Sequence, residues 1–303
     1  EGVGDESNAG TITLAGGLRI DVDTAVDLSA SNDVNTLAVN ISGTGALTFA
    51  DSDELTIGTV DGMSGVVANS ASNVTVTTVG IMTVSDVVTS VGGNISFSVT
   101  TSDTNFNHTA AAISAGAGSV TIRSDDMSLA GTSITGNGGI NIYTKDTDTA
   151  IALGSNTSTA NQLDLTTVEL QLFASSGTVT IGENGTNTGA ITIGASAIDL
   201  SSETFNLTLA TEGAIDDTTG SSNALSIANA KTLTIDAGTT IGATNALNTV
   251  ATIINADAGT GSLSIINTGN VTDLQLNADS GTITFNNTGT INTGAAISAN
   301  VIN

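Results

Sequence analysis

Proline is missing from all 303 positions. Proline cannot donate to a strand ladder and is kept out of central strands. Its complete absence suits a chain whose strands are bonded on both sides. Cysteine is also missing, so no disulfide staples the fold, and the redox compartment cannot be read from thiols. There is no tryptophan, and Tyr143 is the single tyrosine. Aromatic residues make up 2% of a chain that is 39% hydrophobic, so any core is filled by Val, Ile, Leu and Ala in thin, regular layers. The six phenylalanines, Phe49, Phe97, Phe106, Phe173, Phe205 and Phe285, are scattered.

Positive charge is scarce as well. Arg19, Arg123, Lys145 and Lys231 face 29 acids, for a net charge of −25. Nucleic acid needs a basic surface to displace counterions, so the charge argues against it as a partner, and anionic membrane surfaces are disfavoured for the same reason. The acidity keeps a β-rich surface soluble and offers carboxylates to hard cations. No apolar run approaches ~18 residues, so no membrane-spanning helix is expected. Residues 1–6 have neither the basic nor the apolar region of a signal peptide, and they read as a processed end or an internal cut from something longer. Disorder is disfavoured by the abundance of Ile, Val and Thr.

What the chain does contain is one short pattern used many times. Gly-small-apolar-Thr/Ser-apolar recurs at Gly10–Leu14, Gly45–Phe49, Gly118–Ile122, Gly177–Ile181, Gly189–Ile193, Gly261–Ile265 and Gly281–Phe285. Each copy reads as a turn followed by a strand with one apolar and one hydroxyl face. Further strands are expected at 74–79, 95–99, 140–143, 150–153, 205–209, 225–227, 232–235 and 271–276. No long helical period with a cap and a stop is found; the best candidate, 163–172, fits alternation as well as a helix.

A longer repeat overlies the short one. Leu18–Asp21, Asn32–Thr36 and Gly43–Leu47 match Leu233–Asp236, Asn245–Thr249 and Gly259–Leu263, separated by 215, 213 and 216 positions. Residues 18–60 thus resemble 233–276. The expected fold is an all-β, elongated, right-handed parallel β-solenoid running continuously over 1–303, with tandem β-sandwich domains as the alternative. Coils of roughly 20–25 residues imply on the order of 12–15 coils and a rod about 60–70 Å long. Outward Thr and Ser are expected to form cross-strand hydroxyl pairs.

Several stretches carry a family resemblance: Leu55–Val66, Asp125–Leu129, Ala150–Gly154 and Gly213–Asp217. With the super-repeat, they make most of the chain resemble the filamentous-haemagglutinin-like giant repetitive surface exoproteins of bacteria. That resemblance implies a right-handed β-helix, export to the cell surface, and a role in adhesion or fibre building. The resulting expectation is an extracellular structural subunit. It assembles with itself head to tail and supports adhesion, biofilm, or contact with a host or neighbouring cell. The alternatives are a stalk segment of a large adhesin and an S-layer-like lattice protein with calcium.

No catalytic constellation stands out, and no enzyme is expected. Acidic pairs Asp21/Asp23, Asp51/Asp53, Asp125/Asp126, Asp146/Asp148 and Asp216/Asp217 are the candidate Ca²⁺ ligands; their plain alternative is solvated turn acids. In a strand, an Asp-x-Asp pair puts both carboxylates on one face about 6.6 Å apart. A glycosidase pair is disfavoured by the scarcity of aromatic platforms and basic residues. His108 is the only histidine, which excludes a zinc site or a nucleophile–His dyad, and it reads as a surface loop residue. Nine Asn-x-Ser/Thr sequons occur, at Asn40, Asn73, Asn94, Asn107, Asn156, Asn184, Asn206, Asn270 and Asn286; a chain this rich in Asn and Thr produces most of them by chance.

Overall fold

The structure is a computed structural model that describes residues 6–7, 10–155, 157, 159–194, 196–218, 225–292 and 297–302. Asn156, one of the nine sequons, lies outside the described residues. The chain divides into two compact units. The first comprises Glu1–Lys145 with Leu172–Gly177, the second Asp146–Gln171 with Thr178–Asn303.

Each unit is a parallel β-solenoid. In the first, three columns of strands stack coil on coil. One column runs through Leu47–Asp51, Val74–Thr78, Ile95–Val99, Ser119–Arg123 and Gly139–Tyr143, all parallel. The second holds Leu55–Ile57, Met82–Val84, Asn105–His108 and Asp126–Leu129. The third runs from residues 39–41 through Val66–Ala68, Val88–Ser90, Ile113–Ser114 and Ile134–Thr135 to Phe173–Ala174. The second unit repeats the scheme. There Val179, Leu207, Leu233, Ile254 and Leu274 stack in register, as do Leu163, Ile151, Ile191 and Ile215.

Alternation builds the core. Val74–Thr78 and Ile95–Val99 read buried–partial–buried–partial–buried, so each strand sends every second side chain inward. Because the strands are parallel and in register, inward residues pile into columns. Phe49, Val76, Phe97, Ile122 and Ile142 form one such column, all at 0–1% exposure. Phe97 also meets Phe106 of the adjacent face, with ring centres 5.4 Å apart. Inward positions within the stack are covered by the coils above and below, so even Val and Ala become fully buried.

The recurring glycine has a steric cause. A Cβ on Gly118 would lie 2.3 Å from the carbonyl oxygen of Gly93 in the preceding coil. One on Gly281 would lie 2.1 Å from that of Gly261. At these corners backbone rests on backbone, and no side chain fits.

Coil length is uneven. Along the first column Leu47, Val74, Ile95, Val120 and Ile140 are steps of 27, 21, 25 and 20 residues. The 27-residue coil holds a small antiparallel hairpin, Thr59–Val60 against Met63–Ser64. Its tip, Asp61 and Gly62, has φ of +47° and +78°, as a two-residue primed turn requires. The ambiguous stretch 163–172 resolves into both options: strand Gln162–Leu165, then one helical turn, Thr167–Leu170. Thr166 and Glu169 cap that turn reciprocally.

Outward hydroxyls pair across strands in the hairpin, where Thr59 Oγ1 and Ser64 Oγ are 2.9 Å apart, but the expected pairing does not hold along the first column. Thr48, Thr75 and Ser96 stand in register on the outside of successive coils, yet no hydrogen bond joins them. The ~4.8 Å between strands is too long for a direct O–H···O contact.

Candidate functional site

Among the described residues, most buried polar side chains sit at or beside strand ends. Asn32, Asp51 and Thr78 occupy one corner in register, each at 2% exposure or less. The ladder is interrupted there, so backbone groups need other partners. The Asn32 side-chain amide donates to the carbonyls of Leu28, Ala30 and Ala50, and its oxygen accepts from Ile12 N–H at 3.0 Å. The Asp51 carboxylate accepts from Val34 N–H at 3.1 Å and Asp53 N–H at 3.2 Å. Thr78 Oγ1 donates to the Gly80 carbonyl at 2.8 Å. In the second unit Thr249, Asn267 and Asn287 form a comparable corner ladder, with Thr249 Oγ1 donating to Asn267 Oδ1 at 2.9 Å and Asn267 Nδ2 to Asn287 Oδ1 at 2.9 Å.

Beside the first corner lies a groove of about 550 Å³ lined in part by Asp53, Glu54, Val79, Ile81 and Asp103. Burial pushes the Asp51 carboxyl up to about 6, and the neighbouring Asp53 adds to the push. A carboxyl raised from 3.8 to about 6 favours the fold in its protonated form. Its contribution is full below pH 3.8 and is lost as pH rises through about 6. The Asp51 carboxyl carbon is therefore expected to titrate near pH 6 in an NMR series. Acidification from neutral is expected to stabilise this corner. Asp51→Asn should abolish both effects.

The ten candidate calcium ligands are spread over the two units. No Asp-x-Asp pair lies wholly within a strand, so the one-face geometry expected of them is corrected. Asp21 is exposed, paired with Arg19 at 3.3 Å and accepting from Asn40 Nδ2 at 2.8 Å, while Asp23 lies beyond the strand end. Asp51 is buried and Asp53 exposed, and the Asp53 N–H donates to the Asp51 carboxylate at 3.2 Å. Asp125 is buried at a corner and accepts from Lys145 N–H at 2.9 Å; Asp126 opens the next strand. Asp146 and Asp148 belong to a turn. Asp216 and Asp217 are consecutive strand residues facing opposite ways. Asp216 binds Thr244 N–H from outside, at 3.0 Å, and Asp217 is buried. Among the described residues no three His, Asp or Glu side chains gather closely enough to hold a metal ion.

His108 is the clearest correction. It is 0% exposed, in the inward column between Val84 and Leu129. Its Nε2 contacts the Ala111 carbonyl, its Nδ1 has no hydrogen-bond partner, and Gly131 lies so close that a Cβ there would strike the ring. Alternation with Phe106 placed it inside despite its polarity.

The second feature that bears on function is an edge. Among the described residues, Thr13–Val22 pairs on one side only, with Val26–Ile41. Its inward apolar residues are partly uncovered: Leu14 is 39% exposed, and Leu18 and Ile20 are half-buried. Their register partners one coil on, Val34, Leu37 and Val39, are at 0%. Ile297–Ile302 likewise pairs on one side only, with Asp273–Asn287. Among the described residues no helix is long and apolar enough to cross a membrane. No family model, no curated protein and no solved structure matches this chain.

Proposed function

We propose that this chain is a structural unit of an extracellular filament or surface fibre. It works by stacking coil on coil and supports adhesion or cell–cell and matrix contact. The observation that carries the reading is the strand Thr13–Val22, which among the described residues pairs on one side only and leaves Leu14 exposed and Leu18 and Ile20 half covered. A parallel strand edge differs from its opposite edge, so copies join head to tail and grow as a filament. The occupant is a second copy of this chain, presenting the edge of Ile297–Ile302. The likeness of residues 18–60 to 233–276 favours such a continuation. The acidic, cysteine-free composition and the exoprotein resemblance favour an exported location.

Sedimentation velocity and negative-stain electron microscopy of the purified chain test this. Concentration-dependent filaments are expected. They should strengthen with salt, because each copy carries −25 and salt screens the repulsion. Leu14→Glu with Ile20→Glu should suppress them. Filaments that dissolve in EDTA would assign the acidic pairs to calcium. Monomers at every concentration, with and without calcium, would sink the filament reading and leave a stalk segment of a longer adhesin.

A further inference from the structure

The chain contains two Asn-Gly steps, Asn137–Gly138 and Asn184–Gly185, and the fold treats them differently. Asn-Gly is the step at which the following backbone nitrogen most easily reaches the side-chain amide carbon, because glycine adds no Cβ in the way. In Asn137–Gly138 that nitrogen is tied down: Gly138 N–H donates to the Gly118 carbonyl at 3.0 Å, within the stacked coils. Asn137 N–H donates to Gly116, and Asn137 Oδ1 accepts from Ser176 N–H and Oγ at 3.3 Å.

Asn184–Gly185 lies on an exposed turn, with Gly185 at φ +78° and nothing within 4 Å of where its Cβ would be. Its nitrogen donates to a carboxylate and not to the ladder: Gly185 N–H meets Glu212 Oε1 at 2.7 Å. The side chain is held from the other side, Asn184 Nδ2 donating to Asp236 Oδ2. The nucleophilic nitrogen therefore carries a base on its proton, and the Asn184 side-chain amide is held by Asp236.

The geometry points to Asn184 as a self-modifying site, where Glu212 draws the Gly185 proton and the chain deamidates through a succinimide. Gly185 N bonds to Asn184 Cγ, the Cγ–Nδ2 bond breaks, and ammonia leaves with the proton that Glu212 accepted. Water then opens the ring at either carbonyl, leaving Asp or isoaspartate at 184. The product replaces a donor to Asp236 with a carboxylate. Asp236 already stands in register beside Asp257, so the new charge pushes the 183–187 turn away from strand Thr232–Ala237.

Peptide-map mass spectrometry of the intact chain, aged at neutral pH, reads both Asn-Gly steps in one sample, with isoaspartyl methyltransferase labelling of the product. Asn184 is expected to convert at least about tenfold faster than Asn137. Glu212→Gln should slow position 184 by about tenfold, leave 137 unchanged, and make the remaining reaction rise steeply with pH as hydroxide becomes the base. Circular dichroism checks that the exposed substitution leaves the fold intact. Equal rates at the two steps, or a Glu212→Gln rate that is unchanged or higher, would overturn the assignment.

Discussion

Phe97→Ala is expected to cost the first unit about 3–5 kcal/mol, read as a lowered denaturant midpoint with an unchanged slope. Phe97 is fully buried, and it is stacked between Val76 and Ile122 while touching Phe106. A cavity there is walled by side chains fixed in register by two ladders, which cannot slide inward without breaking backbone hydrogen bonds. The site therefore collapses poorly, and the loss sits at the upper end of the range. An exposed control, Val91→Ala, at 67% exposure, is expected to change stability by less than about 0.5 kcal/mol. Similar losses at both positions would mean that the inward columns are not the source of stability.

Below pH 6.5 His108 should weaken the first unit, against the opposite contribution of the Asp51 corner. Burial holds the His108 imidazole below its ordinary value of 6.5, and the Ala111 carbonyl only partly opposes this. Asp126 lies on the strand stacked against His108 and Asp86 lies just past Val84. Both occupy partly exposed positions, while the register neighbours of the ring, Val84 and Leu129, are apolar. The neutral ring is thus the folded form, and the unfolded chain binds the proton more readily. Stability is full above pH 6.5 and declines below it, by up to about 1.4 kcal/mol per pH unit until the folded ring itself titrates. The imidazole resonances of this lone histidine should show no titration at 6.5 in the folded chain. His108→Leu, matching its apolar column, should remove the acid loss. The Asp51 corner acts in the opposite sense, so in that variant stability should rise as pH falls from neutral. A normal imidazole titration at 6.5 would contradict the buried placement.

Much of this architecture was legible in the chain. The repeated Gly-x-apolar-Thr-apolar pattern marks strands such as Ser119–Arg123 and Thr178–Ile181 within a residue of where they fall, because a period of two and a corner glycine are local properties. Two misreadings came from giving polarity more weight than period. Leu47, Phe49 and Asp51 alternate, as do Phe106 and His108, so both polar residues point inward with their apolar neighbours. The Asp61–Gly62 hairpin is not among the expected elements, although its Asp-Gly pair suits the positive φ values of the turn. The deamidation pair was not legible: Asn184–Gly185 is visible as a dipeptide, but Glu212 and Asp236 are 27 and 52 positions away from their partners.

The sequence by itself determined what each short segment is: a turn, a strand, and which of its faces is apolar. Only the tertiary structure decided what lies above and below each residue. Coil lengths of 20 to 27 residues are set by loops and a hairpin that carry no period. Register between coils is the sum of those lengths. That sum places Asp51 between Asn32 and Thr78, His108 between Val84 and Leu129, and a carboxylate against Gly185. A slip of one residue would send every side chain of a strand to the other face, so burial of the whole column fixes a register that no single segment can encode.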